Sequence, residues 1–70
     1  MKITVNGKVE NLKEDTLLID FITNKSLDPK KIIIQLDNQI INKEKFNTLS
    51  IKDNSKIEVL AVFGGGWYER

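Results

Sequence analysis

Apolar and polar residues alternate from the first positions of the chain, with Ile3 and Val5 set between Lys2, Thr4 and Asn6. That period of two predicts a strand with Ile3 and Val5 on its buried face. Asn6-Gly7 follows, a pair that accepts positive φ and suits a tight hairpin turn. Lys8 to Leu12 alternates more weakly, so a hairpin is expected over residues 1–12. The period then changes. Leu18, Phe21 and Ile22 stand at i, i+3 and i+4, one face of a helix, with Asp20 and Lys25 toward water. Leu17 and Ile19 fall off that stripe and widen the apolar surface. Thr16 is the expected N-cap, its hydroxyl accepting from a first-turn amide. The helix should stop near Asn24 to Ser26, and Asp28-Pro29 bars its continuation.

Ile32 to Leu36 is a β-branched run in which Ile32, Ile34 and Leu36 share a face. Asp37-Asn38 signals a turn and Gln39 to Ile41 a short return strand. Residues 42–54 are polar, with isolated anchors at Phe46, Leu49 and Ile51; one helical turn is expected around Lys43 to Phe46. Asp53-Asn54-Ser55 turns the chain again. Lys56 to Phe63 is the last strand, with Ile57, Val59 and Ala61 facing one way and Glu58, Leu60 and Val62 the other. The order ββαβ(β)β predicts an α+β domain: a mixed sheet of four to five strands with one main helix on one face.

Composition narrows the chemistry. The chain has 70 residues, so it is expected to be one domain with a thin core that hides about 60% of the unfolded chain's surface. Eleven Lys and Arg stand against ten Asp and Glu, which argues against a strongly basic nucleic-acid binder. Neither Cys nor His is present. Disulfides, thiolate chemistry, common zinc sites and histidine acid–base catalysis are therefore excluded. Asp15, Asp20 and Asp28 read as caps or helix surface, and no oxygen-ligand motif predicts a metal. No stretch approaches the roughly 18 apolar residues of a membrane span, and Met1 to Gly7 does not resemble a signal peptide. A soluble, cytoplasmic domain is the expectation, binding neither nucleic acid nor membrane.

Gly64-Gly65-Gly66 is the one break in composition. Without Cβ atoms such a segment can thread a narrow channel in a partner. A carboxylate on Gly66 would be an unhindered acyl group. The plainer reading is a linker, since glycine-rich stretches are flexible tethers. The body is thus expected over residues 1–63, with a flexible tail over 64–70 made of the glycines and the extension Trp67 to Arg70.

The chain as a whole resembles the ThiS family, the ubiquitin-like sulfur carriers of thiamine biosynthesis. The resemblance rests on Ile3-Thr4-Val5-Asn6-Gly7, on Thr16 to Ile22, on Ile32 to Ile41, on Lys52 to Val59 and on Val62-Phe63-Gly64-Gly65-Gly66. It implies a β-grasp fold and a protein that supplies no catalytic side chain. It further implies an E1-like adenylating enzyme that uses Mg-ATP to activate the Gly66 carboxylate, with Gly64 and Gly65 threading into that enzyme. Sulfur from a cysteine-derived persulfide then replaces AMP, and thiazole synthase takes the sulfur from the resulting thiocarboxylate. No cofactor is expected on the carrier itself. Carriers for molybdopterin synthesis or another sulfur-transfer pathway, and a β-grasp interaction module that is never activated, are the alternatives.

One departure matters. Family members of this kind normally end at the glycines, whereas this chain continues Trp67-Tyr68-Glu69-Arg70. A Gly66 held in a peptide bond has no free carboxylate. The extension reads as a pro-segment removed by a peptidase; a divergent, inactive carrier and an expression artefact are the other readings. Beside the tail, Leu60 and Val62 point away from the helix-covered face. With Phe63, and with Ile33 expected alongside, they form a candidate docking patch. The alternatives are a core extended by Phe46 or the aromatic tail, or scattered apolar exposure.

Overall fold

The computed structural model describes residues 1–63 and 66–69, and side chains as far as Ala61. Strands β1 (Lys2–Val5) and β2 (Lys8–Asn11) form the expected antiparallel hairpin. Asn6 and Gly7 both take positive φ, 47° and 84°, as a two-residue hairpin turn requires. Strand β3 (Ile32–Leu36) turns back into β4 (Gln39–Ile40) through Asp37 and Asn38, again at positive φ. Strand β5 (Lys56–Phe63) is central: parallel to β1 on one side and antiparallel to β3 on the other. The path runs β2-β1-β5-β3-β4.

A sixth strand, β6 (Gly66–Glu69), pairs antiparallel with β5, matching Phe63 to Gly66 and Leu60 to Glu69. This corrects the expectation of a flexible tail for residues 66–69. The physical reason lies in the sequence. Trp67 and Tyr68 are residue types enriched in strands, and the two residues between Phe63 and Gly66 are glycines, a pair favoured in two-residue hairpin connections. Gly64, Gly65 and Arg70 lie outside the described residues.

Helix α1 (Leu18–Asn24) lies over one sheet face and buries Leu18, Phe21 and Ile22, the stripe read from the sequence. They pack with Ile3, Val5, Ile32, Ile34, Ile57, Val59 and Ala61 from the sheet, and with Phe46 and Ile51 from the long connection. The N-cap differs from expectation. Leu17 occupies it without a side-chain bond, and the Thr16 hydroxyl instead donates to the Lys13 carbonyl at 2.6 Å. The first-turn amides have other partners: Leu18 donates to the Leu49 carbonyl and Ile19 to that of Phe46, both at 2.9 Å. The connection between β4 and β5 thus performs the capping. It carries the expected helical turn, a 3-10 turn at Lys43–Lys45 capped by the Asn42 side chain.

The helix ends at Asn24 with Lys25 as C-cap, and Ser26 follows at a φ of 58°. The Leu27 amide reaches back to the Ile22 carbonyl and that of Ser26 to Thr23, the paired bonds of a Schellman motif. Asp28-Pro29 ends the helical path as expected, but Pro29–Lys31 forms one further 3-10 turn. The Asp28 carboxylate accepts from the Lys30 amide at 2.9 Å. Among the described residues no helix is long and apolar enough to cross a membrane.

Candidate functional site

The glycine-bearing end of the molecule is built on β5. Its first half is held on both sides, by β1 through Thr4–Lys56 and Val5–Ile57 and by β3 from Leu36–Ile57 to Ile32–Ala61. Strand β1 ends at Val5, however, while β5 runs six residues beyond Ile57 to Phe63. Asn6 closes the gap by one step. Its amide donates to the Ile57 carbonyl at 2.9 Å, and its side-chain oxygen accepts from the Val59 amide at 2.8 Å. Past that bond the β1 side of β5 is taken by β6, from Leu60 to Phe63.

Of the four residues proposed for docking, the register brings two together. Ile33 and Leu60 are directly opposed across β3 and β5, and both are half-buried. They lie on the face opposite Ile34, Val59 and Ala61, which are buried toward α1. Gln35 and Glu58 continue that outer face as the next same-face pair. Phe46 does not extend it, because it sits in the core at 2% exposure. Val62 and Phe63 are placed in β5 by their pairing with Trp67 and Gly66. Their side chains, and Gly64 and Gly65, lie outside the described residues. Gly66, the proposed acyl residue, begins β6.

Two features of this region escape the sequence reading. Asn6 reads only as a turn residue, yet it also ends the β1 ladder on β5. The stretch after Gly65 reads as a tail, yet Gly66–Glu69 forms a strand paired with β5. Among the described residues no group of three Asp, Glu, His or Cys is disposed to hold a metal. On the helix side of the Asn6–Val59 bond lies an open cleft floored by Val5, Leu27 and Val59. At its mouth Lys25 and Glu10 pair at 2.8 Å.

A small mixed sheet with one crossing helix, a parallel pair of first and last long strands and a glycine run after the latter defines the β-grasp class of carrier-like domains. The ThiS family matches residues 2–66, and the chain belongs to that family. It is 32% identical over 65 residues to the sulfur carrier protein ThiS of Bacillus subtilis, covering 91% of this chain and 98% of that protein. It is 24% identical over 66 residues to a thiazole synthase of Paramagnetospirillum magneticum, 94% of this chain but only 20% of that protein. The crystal structure of the thiamine biosynthesis protein ThiS from Geobacter metallireducens superposes with a TM-score of 0.82 at 25% identity, covering 94% of this chain and all of that one.

Proposed function

We propose that this ThiS-family chain, a sulfur carrier of thiamine biosynthesis, works through Gly66 once residues 67–70 have been removed. The observation that carries this reading is where the family match stops: it includes the glycines and ends at Gly66, leaving Trp67 to Arg70 outside. Trimming would expose the Gly66 carboxylate. An E1-like enzyme holding Mg-ATP would adenylate it, with Gly64 and Gly65 passing through the enzyme's channel. A cysteine persulfide would then displace AMP to give an acyl disulfide, and a second thiol would cleave its S–S bond, forming a disulfide with the donor cysteine and releasing the thiocarboxylate. The carrier contributes an acyl group and a surface, and the chemistry belongs to its partners.

Thiazole synthase is the proposed recipient. Support comes from the synthase of Paramagnetospirillum magneticum, one fifth of which resembles 66 residues of this chain. The half-buried Ile33–Leu60 pair, with Val62 and Phe63 further along β5, is the proposed docking patch for the activating enzyme.

The test uses two forms of the protein, one ending at Gly66 and one of 70 residues. Each is incubated with the activating enzyme, Mg-ATP, a persulfide donor and a thiol reductant, and its intact mass is measured. The shorter form is expected to gain the mass difference between sulfur and oxygen, and the longer form to remain unchanged. Adenylation of the longer form would overturn the pro-segment reading; an unchanged shorter form would overturn the carrier role of Gly66.

A further inference from the structure

The β1 side of β5 has a defined stopping point. The Ile57 carbonyl and the Val59 amide are both bonded to Asn6. Strand alternation directs the N–H and C=O of Ala61 and Phe63 to that same side, beyond the reach of β1. An unpaired edge of this kind is a template for another extended segment. Here β6 takes it, with Ala61 opposite Tyr68 and Phe63 opposite Gly66.

We propose that this edge is a strand-binding site, that its resident occupant is the chain's own residues 66–69, and that β6 is a latch over the trimming position. The Gly66–Trp67 bond joins two residues that both stand in the β6 ladder, opposite Phe63 and Val62. Peptidases cut a segment after it has left its native pairing, so cleavage follows the population of the opened state. Strand β6 has four residues, and among the described residues it pairs with β5 alone. Such a strand sits at the low end of local stability and opens without unfolding the body. Cleavage then has two consequences: it frees the Gly66 carboxylate and vacates the Ala61–Phe63 edge for an extended segment. The significance of the latch rests on the trimming proposed above, but its existence does not.

Amide hydrogen exchange tests the occupancy. In the 70-residue chain the Ala61 and Phe63 amides are expected to exchange at least tenfold more slowly than in a chain ending at Gly66. Tyr68→Pro removes the amide opposite Ala61 and should release both in the full chain. The Val59 amide, bonded to Asn6, should stay protected in all three and reports that the body is folded. Equal exchange of Ala61 and Phe63 in all three proteins would overturn the latch.

Cleavage is tested with Val62→Cys/Trp67→Cys, a directly opposed pair in a chain that has no other cysteine. Oxidised, this variant should be cut by proteinase K within residues 66–69 at least tenfold more slowly than when reduced. Equal rates would overturn the requirement for opening. Neither result bears on whether the chain ending at Gly66 accepts sulfur, so the two proposals fail separately.

Discussion

Six non-glycine residues have positive φ among the described residues, and five of them are Asn or Asp: Asn6, Asp15, Asp37, Asn38 and Asn54. These are the side chains that tolerate the left-handed region. The turns are therefore legible in the sequence. At the sixth, Ser26, the end of α1 was expected but the left-handed turn was not, because nothing about serine announces positive φ. Ser26→Gly should relieve about 1 kcal/mol of backbone strain, read as a higher midpoint in urea with an unchanged slope. Asn6 has a second task that its turn signal conceals, since only the register shows its oxygen reaching the amide of Val59, 53 positions away. Asn6→Gly preserves the turn and removes that acceptor. It should cost about 1 kcal/mol, again measured by denaturant unfolding.

At the scale of elements, local periodicity found β1, β3, β5 and α1, because each buries one face and the burial imposes its period, whereas β2 and β4, exposed along nearly their whole length, were legible from the turns beside them. Two things depended on tertiary structure instead. The start of α1 is capped by the carbonyls of Phe46 and Leu49, so the polar stretch that looks like a loop is part of the helix's support. Phe46 joins that role to a place in the core. Phe46→Ala should cost roughly 3–5 kcal/mol, comparable with the whole stability expected at roughly 0.05–0.15 kcal/mol per residue. The variant should show a largely collapsed thermal transition and loss of the α1 signal in circular dichroism. The outer face behaves differently. Leu60→Asp replaces a half-buried side chain opposite Ile33 and leaves the helix-side core untouched. Affinity for the activating enzyme should fall at least tenfold in titration calorimetry while the thermal midpoint changes little. Unaltered affinity would remove Leu60 from the proposed docking patch.

For the molecule as a whole, the class of fold was readable from element order, and the resemblance pointed to the family that the comparisons then showed. The strand at residues 66–69 was missed although Trp67 and Tyr68 favour it, because a glycine run serves a tether as well as a hairpin and only the part of β5 that β1 leaves unpaired decides between them. The same sheet order has a consequence for biosynthesis. The strand at the centre of the sheet, β5, is the last of the five on the main path to be translated, and its neighbours β1 and β3 do not pair with each other. A nascent chain that has reached Ser55 holds two separated hairpins and a helix with half a floor. Folding on the ribosome must therefore wait for residues 56–63 to emerge, and a ribosome arrested before them should present a protease-sensitive chain.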